Sequence, residues 1–282
     1  MPDFPIIDAH VHIYDTRRLS YPWMKHVPAL DRPHLPKDYD RLTRGVNIEA
    51  MVFVEVDVAP DAHLAEVEFV QQQSRVEPRL RAIVASMPLE KGAAVEPDLA
   101  AYSHFPLARG VRRLIQQQEP GWALRDDYVA GVKLLAKFGF TFDLCLFHPQ
   151  LGEVTELVRR CPEVGFVIDH IAKPGIRAGL REPWASELRT IARQSNVWCK
   201  ISGVVTEADH ATWTEAEVAP YIEHAIDCFG FNRVMFGGDW PVSELATSYP
   251  RWVRLVDAVT ASASLSERRK LFHDNAIAFY RL

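Results

Sequence analysis

Two histidines separated by one residue end the first apolar run of the chain, Ile6-Ile7-Asp8-Ala9-His10-Val11-His12. Side chains alternate between the two faces of a β-strand, so residues two apart point to the same side. His10 and His12 are therefore predicted to project together from one strand end, where two imidazoles can bind one metal ion or one polarised oxygen. Far downstream, a second apolar run, Arg233–Asp239, ends in a carboxylate.

Ionisable or polar side chains also stand at the ends of most other apolar runs. They are Glu55, Arg112, His148 with Gln150, Asp169 with His170, Lys200 and Asp239. Charged groups inside apolar strands cost free energy unless they are paired or functional. Their recurrence at the same end of seven of the eight runs predicts one shared polar site. Arg112 and Arg113 are adjacent and must face opposite sides, so only one of them points toward that site.

Eight short apolar runs alternate with amphipathic stretches. The predicted strands are Ile6–His12, Met51–Val56, Leu80–Pro88, Gly110–Ile115, Thr141–Leu146, Gly165–His170, Val197–Ser202 and Arg233–Asp239. The predicted helices are Ala62–Val76, Arg125–Phe138, Leu151–Cys161, Trp184–Gln194, Thr214–Phe229, Tyr249–Thr260 and Ser266–Tyr280. Continuous apolar runs are typical of parallel strands covered on both faces. Eight of them, alternating with helices, predict a single α/β domain over residues 1–282, a (β/α)8 barrel. A doubly wound open sheet is the alternative, but no G-x-G-x-x-G motif supports its nucleotide-binding form.

The segment Tyr14–Pro36 is a long connection after the first strand, and it carries Tyr21-Pro22-Trp23. Active sites of such barrels lie at the carboxyl ends of the strands, where the strand-to-helix loops also gather. Two interpretations remain open: a lid or pocket wall that brings Trp23 to the substrate, or a surface insertion that packs its own aromatic rings.

Composition limits the class of function. The 282 residues are 48% hydrophobic and 24% charged, with a formal net charge of -5. Neither a nucleic-acid groove nor a membrane patch is indicated. The four cysteines form no C-x-x-C pair, and the N-terminus has no basic region before its first strand. These features predict a cytoplasmic protein with reduced thiols. The sequence does not fix an oligomeric state.

The ordered motifs resemble the amidohydrolase superfamily, specifically its amidohydrolase 2 branch and the sugar lactonases (L-fuconolactonase-like and L-rhamnono-lactonase-like proteins). The resemblance rests on Asp8-x-His10-x-His12, a histidine on strand six and an aspartate on strand eight. It also rests on Tyr21-Pro22-Trp23, Gly110-Val111-Arg112-Arg113, Asp169-His170-Ile171-Ala172-Lys173-Pro174, Cys199-Lys200-Ile201-Ser202-Gly203 and Phe236-Gly237-Gly238-Asp239-Trp240-Pro241. Together these motifs cover most of the chain.

The resemblance implies a lactonase that opens a sugar-acid lactone, such as L-fuconolactone, in carbohydrate catabolism. Asp239 is the expected general base on water, and His10, His12 and His170 would polarise the carbonyl through a metal or as hydrogen-bond donors. Arg112, Lys200, Glu55, Gln150 and Trp23 are the expected substrate-binding residues. Asp169 is interpreted as a supporting residue, and the remaining histidines, His34 among them, as surface or capping residues.

The expected cofactor is a single divalent metal, zinc by preference, held by His10, His12 and Asp239. Superfamily members with two metals bridge them by a modified lysine on strand four or by a glutamate. This chain has arginines on that strand, which argues against a second metal. The resemblance implies that the metal is dispensable for catalysis in some lactonases. It aligns Gln150, rather than His148, with the family position on strand five.

Two alternative functions remain open. A metal-dependent decarboxylase of the same branch would need His148 as a metal ligand and a dense arginine pocket. A barrel without catalysis, serving as a ligand-binding protein, would not need the complete set of three histidines and one aspartate. An inactive D239N variant that retains ligand affinity would separate catalysis from binding.

Overall fold

The computed structural model describes all 282 residues. Eight strands run parallel in chain order, each paired with the next. They are β1 (Ile6–Val11), β2 (Ile48–Val54), β3 (Leu80–Ser86), β4 (Ala108–Arg112), β5 (Thr141–Leu144), β6 (Phe166–Ile168), β7 (Val197–Ile201) and β8 (Val234–Phe236). The predicted (β/α)8 barrel is confirmed, and the open sheet is not the architecture.

The barrel closes at a seam between β1 and the residues that follow β8. Val11 and Trp240 form a parallel bridge. The His12 amide donates to the Trp240 carbonyl at 2.8 Å, and the Asp239 amide donates to the His10 carbonyl at 2.8 Å. The seam therefore joins the first strand to the segment after the last strand at the carboxyl edge of the barrel, where the predicted site lies.

Ten α-helices surround the barrel. They are α1 (Pro36–Leu42), α2 (His63–Gln73), α3 (Glu96–Ser103), α4 (Asp126–Phe138), α5 (Leu151–Arg160), α6 (Trp184–Ile191), α7 (Glu215–Phe229), α8 (Tyr249–Val259), α9 (Leu265–Arg269) and α10 (Asn275–Tyr280). The apolar pattern does not predict the short helices α1 and α3, of seven and eight residues. A π-turn over Lys270–Asp274 joins α9 to α10, where one helix was predicted. No helix is both long and apolar enough to cross a lipid bilayer.

Each strand ends one to three residues before its apolar run does, because the last residues of the runs leave the ladder. Asp169 and His170 follow the end of β6, and Asp239 lies three residues beyond β8. His170 and Asp239 adopt positive φ values of 54° and 53°. Left-handed backbone turns the chain sharply, so these side chains point into the mouth of the barrel instead of continuing the strand.

Two apolar clusters surround and fill the barrel. The larger one packs the outer faces of the strands against the helices. A smaller cluster within the barrel combines small strand residues, such as Ala9, Ala50 and Ala82, with Phe279 and Tyr280 of α10. The polar layer that carries the site lies above this inner cluster.

Candidate active site

One carboxylate oxygen lies among three imidazoles at the carboxyl edge of the barrel. Asp239 Oδ1 is 3.5 Å from His12 Nε2, 3.7 Å from His10 Nε2 and 3.9 Å from His170 Nε2. All four side chains are buried, with at most 5% of each residue exposed. The structure therefore brings the four predicted catalytic residues together at the ends of β1, β6 and β8.

Backbone geometry around Asp239 makes this approach possible. The Gly238 amide donates to Asp8 Oδ1 at 2.7 Å, which anchors the chain just before the left-handed residue. Asp8 Oδ2 accepts from the hydroxyls of Tyr39 and Tyr249 at 2.9 and 2.7 Å. Asp8 is thus a structural anchor of the seam rather than a member of the imidazole cluster.

Hydrogen bonds on the far side of two rings orient the imidazoles. His12 Nδ1 lies 2.8 Å from the Val54 carbonyl, which only accepts, so Nδ1 carries a proton and Nε2 is the ring nitrogen directed at Asp239. His170 Nδ1 lies 2.9 Å from Ser202 Oγ. A carbonyl or hydroxyl behind the ring is how metal-binding histidines are commonly held.

Burial sets the charge of the cluster. The pKa of His170 is lowered to about 4, chiefly by burial, with Asp239 opposing the shift. The pKa of His10 is also well below its usual value because of burial and the neighbouring Lys200 ammonium. Burial raises the pKa of Asp239, but the three surrounding imidazoles outweigh it and the net shift is downward. At neutral pH an ionised Asp239 carboxylate therefore faces the neutral imidazoles of His10 and His170, and a general base or a metal ligand must be ionised in this way.

A buried charge network lies behind His10. Lys200 Nζ is 3.2 Å from His10 Nδ1, 2.5 Å from Asp143 Oδ2 and 3.1 Å from Asp169 Oδ1. The Tyr280 hydroxyl donates to Asp143 Oδ2 at 2.8 Å. Lys200 is fully buried and does not line the cavity. The expectation that Lys200 binds substrate is corrected, because its position within β7 places the ammonium one layer below the strand ends.

Arg112 faces the site, while Arg113 points away and pairs with Glu90 at 2.8 Å. Arg112 Nε donates to Glu55 Oε1 at 2.5 Å, and its Nη1 lies 3.2 Å from Asp169 Oδ2. Arg112 lines the cavity, as expected of a substrate-binding residue, but Glu55 does not. Both Glu55 oxygens are engaged by protein donors, since Oε2 accepts from the Asp57 amide at 2.6 Å. Glu55 is therefore a partner that orients Arg112.

A cavity of about 220 Å³ opens above the cluster. Its walls are His12, Trp23, Val56, Asp57, Arg112, Leu114, Gln116, Gln117, Cys145, His170, Lys173, Thr206, Asp239 and Val242. Trp23 is fixed as a wall by a 2.7 Å hydrogen bond from Nε1 to the Val56 carbonyl. The segment Tyr14–Pro36 thus supplies a pocket wall. His34, a residue of this segment that was expected at the surface, is buried with its ring against Trp240.

The two polar residues after β5 lie outside the cavity walls. Gln150 Nε2 donates to the Ile115 carbonyl at 2.8 Å, and its Oε1 accepts from the Phe147 amide at 3.0 Å. Gln150 therefore braces two loops instead of reaching substrate, which corrects its expected role. His148 is also absent from the walls, and a decarboxylase site that uses it as a metal ligand is not supported.

Several wall residues have no signal in the sequence pattern, namely Asp57, Gln116, Gln117, Lys173 and Thr206. Lys173 belongs to the Asp169–Pro174 motif, but nothing in its residue type revealed that it points into the cavity. Asp57 and Gln117 carry positive φ values of 52° and 65° without being glycine. Such backbone gives no signal in the apolar pattern, because left-handed residues are identified from sequence mainly through glycine and asparagine.

The cluster has the donor set of a single divalent cation. Ligand atoms of His10, His170 and Asp239 lie within 4.8 Å of one another, and His12 Nε2 approaches the same carboxylate. Imidazole nitrogen and carboxylate oxygen are donors that zinc and related ions accept. Around the site, four buried carboxylates (Glu55, Asp143, Asp169 and Asp239) face two buried cations, Arg112 and Lys200. That imbalance favours a positive ion.

A buried cluster of three histidines and one aspartate at the carboxyl edge of a (β/α)8 barrel defines a hydrolase-type active site. The family described as Amidohydrolase matches residues 7–282, and the chain belongs to that family. The resemblance predicted from the motifs is therefore confirmed.

Several proteins and solved structures are similar to this chain over nearly its whole length. L-fucono-1,5-lactonase of Burkholderia multivorans is 32% identical over 289 residues, covering 98% of this chain and 96% of that protein. L-rhamnono-gamma-lactonase of Scheffersomyces stipitis is 21% identical and covers 100% of both chains. A Burkholderia multivorans amidohydrolase crystallised with bound HEPES superposes with a TM-score of 0.89 at 29% identity, covering 99% of this chain and 100% of that one. The form with bound zinc superposes with a TM-score of 0.87 at 28% identity and the same coverage.

Proposed function

We propose that this enzyme hydrolyses the lactone of a sugar acid, for instance an aldonolactone such as L-fuconolactone. The observation that carries the proposal is Asp239 Oδ1, held 3.5 to 3.9 Å from three imidazole nitrogens beside a cavity of about 220 Å³. The names of the lactonase relatives support the substrate class.

Opening a lactone requires a base for water, a polarised carbonyl and support for the oxyanion that forms. In the proposed reaction, Asp239 takes a proton from water while the water oxygen bonds to the carbonyl carbon. The ring C–O bond then breaks, and Asp239 returns the proton to the departing ring oxygen. The products are a hydroxyl and a carboxylic acid, which releases its own proton to solvent.

The proposed cofactor is one zinc ion held by His10, His12 and Asp239, with His170 adjacent. A bound ion of this kind polarises a carbonyl oxygen and lowers the pKa of coordinated water. Val54 holds the ring of His12, Ser202 holds that of His170, and Lys200 with Asp169 flanks His10. These contacts keep the three imidazoles directed at the reacting centre.

The proposed partner is a small sugar lactone, with no role for nucleic acid or membrane. The proposed compartment is the cytoplasm, which suits a chain with four free cysteines, three of them buried. Free thiols persist in reducing compartments.

The test is hydrolysis of a panel of aldonolactones, followed with a pH indicator before and after chelation, beside the D239N variant. We expect wild-type turnover and a loss of about 10²- to 10⁴-fold in D239N, the range of a general base. Retained binding of the lactone by D239N would separate catalysis from a binding function. No hydrolysis of any sugar lactone, even with zinc added, would overturn the proposal.

A further inference from the structure

The cavity contains a cation that no carboxylate contacts directly. Lys173 Nζ donates to the neutral Gln116 Oε1 at 2.5 Å and lies 5.3 Å from the centre of the Phe147 ring. No carboxylate oxygen lies within 4.0 Å of this ammonium. The Lys173 ammonium also acts on Glu207 at a longer distance. Burial raises the pKa of Glu207, and the positive charge of Lys173 partly opposes that rise. Arg112, by contrast, is paired with both Glu55 and Asp169.

The backbone that presents Lys173 is strained. His170, Ile171, Ala172 and Lys173 are four consecutive non-glycine residues with φ values of 54°, 47°, 62° and 47°. Left-handed backbone is unfavourable for an L-residue, and a β-branched residue such as Ile171 is an outlier there. Strain of this kind persists where surrounding contacts hold it, and it is concentrated at functional sites.

The surrounding contacts are visible in the turn. Trp184 Nε1 donates to the Ile171 carbonyl at 2.7 Å, and the Lys173 amide donates to the His170 carbonyl at 2.9 Å. Ile171 and Ala172 are fully buried, whereas His170 and Lys173 both line the cavity. The same turn therefore places both the His170 imidazole and the Lys173 ammonium at the wall of the cavity.

We propose that Lys173 is the anion-binding residue of the cavity and that it binds the carboxylate formed when the lactone ring opens. The inference rests on the proposed function, because hydrolysis by water converts a neutral lactone into a hydroxy acid, whose carboxyl group loses its proton to solvent and becomes a carboxylate. An ammonium has three donors, and Gln116 occupies one, so the others are available to carboxylate oxygens. Hydrogen bonds to charged groups are stronger than neutral ones.

The experiment compares inhibition of lactone hydrolysis by the corresponding aldonate in four proteins: wild type, K173M, Q116E and K133M. In K173M we expect the inhibition constant to rise about tenfold or more, as loss of a charged hydrogen bond predicts. Q116E retains the lysine but places a carboxylate beside it, so it should weaken aldonate inhibition in the same direction. K133M removes an exposed lysine on α4 and should match wild type.

Calorimetric titration of the same four proteins with the aldonate needs no turnover. Aldonate binding that weakens in K173M and Q116E supports the anion site, even if wild type hydrolyses none of the lactones tested. Unchanged affinity in K173M overturns the inference, even if lactone hydrolysis is normal. Circular dichroism and the urea midpoint show whether each variant is folded. If K173M fails this check, Q116E alone decides the outcome.

Discussion

Lys200 Nζ and His10 Nδ1 are 3.2 Å apart, on the side of the imidazole that faces away from the cavity. His10 Nε2, on the opposite side of the ring, is 3.7 Å from Asp239 Oδ1. The fully buried Lys200 ammonium thus contacts the His10 imidazole on the side opposite Asp239. Its positive charge helps to keep the pKa of His10 low. Lys200 acts on the site through His10, without contact with the cavity.

The variant K200M is expected to lower the free energy of unfolding by about 3–5 kcal/mol, since removing one member of a buried ion pair leaves its partners uncompensated. Asp143 and Asp169 would both lose their contact with Lys200. Urea denaturation at pH 7 measures the change, and K133M should stay within about 0.5 kcal/mol of wild type. A loss below about 1 kcal/mol in K200M would show that the network contributes little. The double variant K200M/D143N should recover part of the loss.

The variant G203A is expected to abolish activity while the related variant G179A retains it. Both glycines have positive φ values, 57° for Gly203 and 65° for Gly179. A methyl group at Gly203 would lie 2.5 Å from both Asp239 Oδ2 and His170 Nδ1, whereas at Gly179 it would meet nothing within 4 Å. Both variants should lose about 1–2 kcal/mol of stability from left-handed backbone. The urea midpoints of the two variants measure the backbone strain that they share, and kcat measures the clash with Asp239 and His170 that only G203A has. A fully active G203A would contradict this account.

His34 is expected to make the protein less stable as pH falls from about 6.5 toward 4. Burial, aided by the charge of Arg32, lowers its folded-state pKa to about 4 from an ordinary 6.5. Between pH 6.5 and pH 4, His34 is protonated in the unfolded chain but stays neutral in the folded chain. The contribution of neutral His34 to stability is therefore complete above pH 6.5 and is lost as the pH falls toward 4. The urea midpoint should fall less steeply with acid in H34F, which keeps an aromatic ring against Trp240. H104Q, altered at an exposed histidine, should follow wild type, and equal slopes in wild type and H34F would contradict the prediction.

Trp23 is expected to contribute to substrate binding more than to chemistry. It lines the cavity and donates to the Val56 carbonyl at 2.7 Å, but it does not contact the imidazole cluster by any hydrogen bond. W23A should raise KM about tenfold with little change in kcat, because it removes binding shared by substrate and transition state. W23F should lie between W23A and wild type. W198F, changed near the start of β7, serves as the control, and a fall in kcat alone for W23A would point to a different role.

Most of the site could be predicted from the ends of the apolar runs. The apolar runs indicate the strands, and the polar residues at the ends of these runs indicate the carboxyl edge of the barrel, where the site lies. His10, His12, His170 and Asp239 meet as expected. The sequence did not indicate how deep in the barrel each of these polar side chains lies. Lys200 lies inside the ladder of β7, whereas Asp239 lies beyond β8, and the apolar pattern does not distinguish the two positions.

Lys173 and Glu55 show two further limits. Lys173 reaches the cavity through a left-handed turn that begins with His170 and includes Ile171, a residue whose own preferences oppose that backbone. Only the packed structure reveals the turn. Glu55 stands at a strand end as predicted, but its oxygens are occupied by Arg112 and the Asp57 amide. Whether a polar residue serves a ligand or a neighbour depends on contacts that distant segments supply.

The seam between β1 and β8 implies an order of events during folding. It brings together residues as far apart in the chain as Asp8 and Gly238, separated by 230 positions. Contacts this distant in sequence are slow to form, because a large loop must close before they contribute any stabilisation. Refolding chains should therefore recover helical content before they recover catalysis, since the carboxylate and the imidazoles meet only when the last strand docks against the first.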